Sequence, residues 1–449
     1  MILSWRRLRR AVRQRRDVKN NKVGEREMLE AEAEEVTVPA HFRCPISLDL
    51  MRDPVTLSSG MTYDRGSIEA WMEAGNRTCP VTNTALRSLD VVPNHAIRKM
   101  IQEWCVENRD HGVERIPTPR IPVSPPEVNE ILGRITSASD GKDWVRCREL
   151  VAKVRGIIKE SERNKKCVRS CGAGVTMARA FEELSDRSAF EENSAMSEGI
   201  LSTLTAMMPL DVDAQSSLGS ANSLNALVWH MGNGSLSARR NSALAIREVV
   251  SGNKQKVELL STMGHARGAL FKMIKEPICA ASTKSSLVVI YHMVTIDHPL
   301  KNKVISEFSN KGLVSLLLET MVDADKSMCE KALGVLDRMC NEEEGRDATL
   351  LHPLASPVLV KKLLRVSDLA TEFVVSILSN ISKDETDDAF WVELLRCGAF
   401  QKLLLLFQVG CGERTKEKAR ELLKSLNVRR EGMPECVDGH DFNGLRRHS

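Results

Sequence analysis

Near the start of the chain, the side chains capable of metal or nucleophile chemistry are His41, Cys44, Cys79, His95, Cys105 and His111. Structural zinc sites draw their ligands from local pairs such as Cys-x-x-Cys or Cys-x-His. Here the position three after Cys44 is Ser47, and no other pair forms locally. Metal ligation is therefore not expected. The loops that carry these cysteines must be held by hydrogen bonds and charge pairs, with Asp49, Asp53, Asp64, Arg65 and Asn94 as the candidates. Asn94 is suited to bridging loop backbone groups, because its amide both donates and accepts. Ordinary turn chemistry would explain any single one of these polar residues equally well.

The elements that must position them can be read locally. Phe42-Arg43-Cys44-Pro45-Ile46 is extended and then turns, since proline lacks an N–H and restrains its predecessor. Asp53-Pro54-Val55-Thr56-Leu57 reads as a turn feeding a strand, Ser58-Ser59-Gly60 as a tight reversal, and Met61-Thr62-Tyr63 as the returning strand. Asp64 is placed to cap the next helix with its carboxylate. That helix carries Ile68, Trp71 and Met72 on one face, and Gly75-Asn76 ends it. Thr78-Cys79-Pro80 opens a second loop. Asn94 precedes a last helix with Ile97, Met100, Ile101 and Trp104 on one face.

Six signatures in order, from Cys44-Pro45-Ile46 through Asp53-Pro54, Gly60-Met61-Thr62-Tyr63-Asp64-Arg65, Ile68-Glu69-Ala70-Trp71 and Cys79-Pro80-Val81-Thr82 to Pro93-Asn94-His95, resemble the U-box, the zinc-free relative of the RING domain. The resemblance spans residues 36–111. It implies an α+β domain that recruits a ubiquitin-loaded conjugating enzyme, with Ile46 as the first-loop contact, Trp71 as the helix contact and Pro80 as the second-loop contact. Trp71 alone also fits a core position at helical spacing. Three exposed apolar side chains of this kind suit a binding surface. The resemblance further implies that Cys44 and Cys79 are structural, that the domain forms no covalent intermediate with ubiquitin, and that it acts by positioning. At the place where many relatives carry a cation that bridges ubiquitin and the conjugating enzyme, this chain has Asn83, whose amide donates a weaker, uncharged hydrogen bond. Cys44, Asp53, Gly60, Tyr63, Asp64, Arg65 and Asn94 are the expected structural set. No cofactor is called for. Pairing of two U-boxes is left open.

The chain has 449 residues, enough for a small domain and a long array. Aromatic residues make up 4% and the apolar set is mainly aliphatic, which suits stacked helices. A net charge of +4 is too small to argue for nucleic-acid binding. Twelve scattered cysteines suggest a reducing compartment. No apolar run approaches the roughly 20 residues of a membrane-spanning helix. Residues 1–35 form an arm that is basic (Arg6, Arg7, Arg9, Arg10, Arg13, Arg15, Arg16) and then acidic. It reads as a solvated arm, with a nuclear signal, a membrane-surface contact or a presequence as alternatives. The expected location is cytoplasmic, with the nucleus or a membrane periphery open.

Residues 112–127 hold a proline-rich linker that should be extended and non-helical. From 128 to 430 similar apolar segments, around Ala243, Ser286, Ala332, Val374 and Ala419, recur at about the spacing of armadillo or HEAT units. Lys311-Gly312-Leu313 and Cys397-Gly398-Ala399 place a glycine before an apolar helix, expected to be the third of each unit. Segment 183–222 reads as an interruption whose early part is a loop, and 431–449 as a flexible tail. The whole is mostly α. Stacked units bury a shared core and leave a long surface for a partner. The order U-box, proline-rich joint and armadillo-like array resembles the plant U-box/armadillo ubiquitin ligases. This implies lysine ubiquitination of a protein captured by the array, in relatives often during stress or immune signalling. The alternative is a catalytically weak scaffold that uses the array as an adaptor.

Overall fold

A computed structural model describes residues 37–116, 122–185, 193–297, 299–383 and 388–431. The expectations for the arm at 1–35, for the tail beyond Glu431 and for the middle of the linker lie outside these residues. The chain divides into two compact units, Met1–Ile121 and Pro122–Ser449.

In the first unit, β1 (Pro54–Thr56) pairs antiparallel with β2 (Thr62–Asp64), in a register that sets Val55 opposite Tyr63. Gly60 makes the turn at φ 81°, a conformation open to glycine because it has no Cβ. A third strand that the sequence had not signalled, β3 (Val92–Pro93), adds to the other edge of β1, giving the order β2-β1-β3. Helix α1 (Arg65–Glu73) follows β2, and α2 (His95–Glu107) follows β3. The core gathers Phe42, Cys44, Met51, Val55, Leu57, Tyr63, Ile68, Cys79, Ile101 and Cys105, all buried. Met100 is not among them. It is exposed, and Cys105 occupies the buried stripe of α2 instead.

In the second unit, the helix Pro125–Asp140 begins on the prolines expected to belong to the extended linker. Proline is tolerated in a first helical turn, where its missing N–H has no partner in any case. Ser124 and Glu127 close a capping box around that turn. Beyond it runs a ladder of long helices: Trp144–Glu160, Ser194–Ala206, Leu236–Val250, Ala280–Thr295, Lys326–Met339, Asp368–Ile381 and Glu413–Glu431. From Ser194 onward their starts lie 42 to 46 residues apart. Two further helices separate each from the next. Ala243, Ser286, Ala332, Val374 and Ala419 lie on these long helices and are fully buried, where small or branched side chains let neighbouring helices approach. Ser235, Asp325 and Ser367 cap three of them with their side chains.

Two expectations for the array are corrected. Gly312 and Gly398, at φ 78° and 81°, precede Leu313–Met321 and Ala399–Val409, which are the middle helices of their three-helix units. The left-handed glycine turns the short first helix sharply into the second. The segment at 183–222 does not interrupt the ladder after residue 193, because Ser194–Ala206 and Val212–Leu218 continue the pattern despite their serine-rich composition. Their hydroxyls bond back to the helix backbone, as Thr203 does to Gly199. At the far end, Asp388 and the ring of Trp391 hold Arg429, at 3.2 Å and 4.5 Å respectively. No helix among the described residues is long and apolar enough to cross a membrane.

Candidate functional site

The two cysteine-bearing loops of the first unit share one design. In the first, Cys44 N–H donates to Asp49 O and Leu48 N–H donates to Cys44 O, both at 2.8 Å. In the second, Cys79 N–H donates to Thr84 O at 2.9 Å and Asn83 N–H to Cys79 O at 2.8 Å. Bridges Arg43–Leu50 and Thr78–Ala85 close the two loops. The fifth residue of each takes a left-handed backbone, Leu48 at φ 60° and Asn83 at φ 54°. Aligned from their cysteines, the loops read Cys44-Pro45-Ile46-Ser47-Leu48 and Cys79-Pro80-Val81-Thr82-Asn83.

Tyr63, fully buried on β2, ties these loops to the core. Its hydroxyl lies 3.0 Å from Cys79 Sγ and accepts the Val81 N–H at 3.3 Å. Burial raises the Tyr63 phenol well above its usual value, and the Cys79 bond and the nearby Cys44 thiol push the same way. Burial pushes the Cys79 thiol up, but side-chain hydrogen bonds that include those of Thr82 and Tyr63 outweigh it and bring it down to about 6. At Cys44 burial also acts upward, and backbone N–H groups of Ser47, Asp64 and Ile46 more than offset it. Both thiols have no exposed surface. They are therefore inaccessible to a substrate and serve as acceptors that organise the loop backbones.

A charged frame holds the rest. Asp53 pairs with Arg65 at 2.7 Å and with Arg98, a partner the sequence had not indicated. Asp64 does not cap α1 with its side chain. Its Oδ1 instead accepts the backbone N–H groups of Arg52 and Asp53, each at 2.8 Å. The carboxylate turns back because the chain before β1 brings two unpaired donors to it. Asn94 also differs from expectation. Its Oδ1 caps α2 through Ile97 N–H at 3.0 Å, while its Nδ2 donates to Thr56 and Thr62 at 3.1 and 3.3 Å, so it joins α2 to the hairpin rather than bridging loop backbone.

Against this frame, Ile46 is 37% exposed, and Trp71 and Pro80 are half-buried. Trp71 packs one side on the core and donates from Nε1 to Thr78 O at 2.9 Å, which fixes the start of the second loop. It is both a core residue and a surface residue. Leu48 at 70% and Val81 at 50% exposure add apolar surface that the sequence reading did not select. A leucine held left-handed costs of order 1–2 kcal/mol, and exposing it as well is uncommon. The signal that could have found both residues was the doubled Cys-Pro-(Ile/Val)-(Ser/Thr).

A U-box domain model matches residues 38–110, and the plant U-box protein ARM repeat region matches residues 127–446. This chain belongs to the plant U-box family with armadillo repeats. Within that family it is 44% identical to U-box domain-containing protein 21 of Arabidopsis thaliana over 405 residues, covering 90% of this chain and 91% of the relative. To U-box domain-containing protein 20 of the same plant it is 42% identical, covering 88% of each. To the plant's E3 ubiquitin-protein ligase PUB23 it is 31% identical, covering 87% of this chain and 93% of that protein.

Proposed function

We propose that this U-box-type ubiquitin ligase holds a ubiquitin-loaded conjugating enzyme on Ile46, Trp71 and Pro80, with Leu48 and Val81 widening the contact, while the helical ladder binds the protein to be modified. The observation that carries the first half is the exposed Ile46–Leu48 edge, set on a loop closed by two backbone hydrogen bonds beside a second loop of the same build. Such preorganised apolar loops bind with little ordering entropy lost. The chemistry is aminolysis. The lysine amine of the bound protein attacks the ubiquitin thioester carbonyl, an isopeptide bond forms, and the conjugating enzyme leaves with its thiol. No side chain of this protein bonds to ubiquitin. Its part is to restrict the loaded enzyme to attack-ready poses. Asn83 faces solvent on the second loop and can offer an amide hydrogen bond to that complex.

Discharge of a loaded conjugating enzyme to free lysine tests this reading. The native chain should accelerate discharge and Trp71→Ala should not. Asn83, which brings no charge, favours a second reading in which the chain is an adaptor with a weak U-box. Equal, background-level discharge by both proteins would establish that reading instead.

A further inference from the structure

The positions that each unit of the ladder hides beneath the next can be found by register. The middle helices Leu313–Met321, Ala355–Lys362 and Ala399–Val409 begin just after Gly312, Leu354 and Gly398. The sixth residue after each start is Leu318, Val360 and Leu404, and the ninth is Met321, Leu363 and Phe407. In the two inner units both positions are buried, whereas in the last unit Leu404 is 47% exposed and Phe407 is half-buried. Phe400, one turn before Leu404, is half-buried too. Residues three and four apart share a helix face, so Phe400, Leu404 and Phe407 form one apolar stripe. Beside it Leu405, 46% exposed, stands where the inner units carry the exposed charges Glu319 and Lys361. The last unit is thus apolar even where its predecessors are charged.

The long helix next to this stripe ends the array differently. Counted from Asp325, Ser367 and Gly412, the eighth residues are Leu333, Val375 and Arg420, and the twelfth are Asp337, Ser379 and Lys424. The four inner residues are buried and the two cations are exposed. A polar outer face of this kind suits a terminal unit. Lys416 on the same stripe is paired with Glu413 at 2.7 Å, and Glu417 and Glu421 border it, so charge does not single out an occupant.

The exit of the chain does. Helix Glu413–Glu431 runs out beside Phe400, where the Arg430 guanidinium lies 5.1 Å from the ring centre. Residue 432 therefore follows at the head of the stripe, whose far end, Phe407, is two helical turns away, about 10 Å. The onward chain carries Met433, Val437, Phe442 and Leu445. The match to the plant ARM repeat region runs past that helix to residue 446. We propose that residues 432–446 turn back over Phe400, Leu404, Leu405 and Phe407 as the last cover of the ladder, seated by Phe442 and Leu445. The chain from residue 431 to Phe442 can reach up to about 36 Å, several times the length of the stripe. Removing these side chains from water drives the contact. A covered end also keeps two arrays from stacking on each other, which an open apolar end invites.

The test uses the full chain with p-benzoylphenylalanine in place of Phe442, irradiated at low protein concentration and mapped by mass spectrometry. Cross-links should form within one molecule, on residues 400–409, and Leu404→Glu should lower their yield at least fivefold. In the chain without the probe, Phe442→Asp/Leu445→Asp should speed backbone hydrogen exchange over residues 403–409 at least fivefold. That pair leaves every ladder residue in place, so circular dichroism and discharge to free lysine should stay at native levels. Cross-links joining two molecules would assign the face to a second copy and overturn the proposal. Cross-links elsewhere in the chain, none at all, or exchange unchanged by the tail pair would overturn it equally.

Discussion

Tyr63→Phe offers the sharpest test of how the recruiting surface is held. The substitution keeps the buried ring and removes only the hydroxyl that meets Cys79 Sγ at 3.0 Å and accepts the Val81 N–H at 3.3 Å. No apolar area is lost, so the transfer term is close to zero. What remains is a buried thiol and a backbone N–H without their partner, and leaving such groups unsatisfied costs about 1–3 kcal/mol. For a domain of this size each kcal/mol moves the melting point by about 4–8 °C, so a 2 kcal/mol loss lowers the U-box transition by about 8–16 °C. If about 1 kcal/mol of that bears on order in the second loop, discharge to lysine falls about fivefold, although Ile46, Trp71 and Pro80 are all intact. Scanning calorimetry of the full chain and single-turnover discharge measure the two effects. A variant that melts within about 2 °C of the native protein and discharges at the native rate would refute the claim that one phenol supports the second loop.

Trp71→Phe keeps an aromatic ring but loses the hydrogen bond to Thr78 O, so discharge should fall severalfold yet exceed that of Trp71→Ala; equal rates for the two variants would show that the bond is irrelevant. Asn83→Arg should raise discharge while lowering stability by about 1 kcal/mol, because the position is left-handed at φ 54° and arginine tolerates that less well than asparagine; an unchanged or lower rate would exclude this residue as the bridging donor. Asp53→Asn weakens the pairs with Arg65 and Arg98 and should destabilise the U-box by about 2 kcal/mol, read by calorimetry. Burial pushes His230, 2.6 Å from the Ser197 hydroxyl, down to about 4 against the opposing pull of Glu198. A histidine depressed below its unfolded value contributes stability that is present above about pH 6.5 and is lost as pH falls towards 4, about 3 kcal/mol in all. The array transition of the native chain should therefore drop more steeply over that window than that of His230→Gln, and identical slopes would rule the histidine out.

What was legible in the sequence follows from the range of the forces involved. The hairpin turn at Gly60, the start of α2 after Asn94 and the recurrence of the ladder helices depend on local backbone preference and short-period patterning, which one chain displays directly. β3 was missed because Val92–Pro93 has neither length nor alternation; its place is set by β1, which lies distant in sequence. Asp64 and Asn94 occupy the predicted positions but spend their hydrogen bonds on partners that only the folded chain supplies. The first turn of the array defied the rule that proline excludes helix, since a first turn is the exception to that rule. Leu48 escaped notice because a leucine in sequence looks like core, and nothing local marks it as exposed and left-handed.

The regular rise of the ladder makes the array a ruler. Deleting one whole unit of 42–46 residues would leave every remaining interface with a like neighbour, yet shorten the array by about one helix diameter. A chain with one unit more or fewer would keep the same helix-to-helix interfaces and differ only in the length of surface it presents.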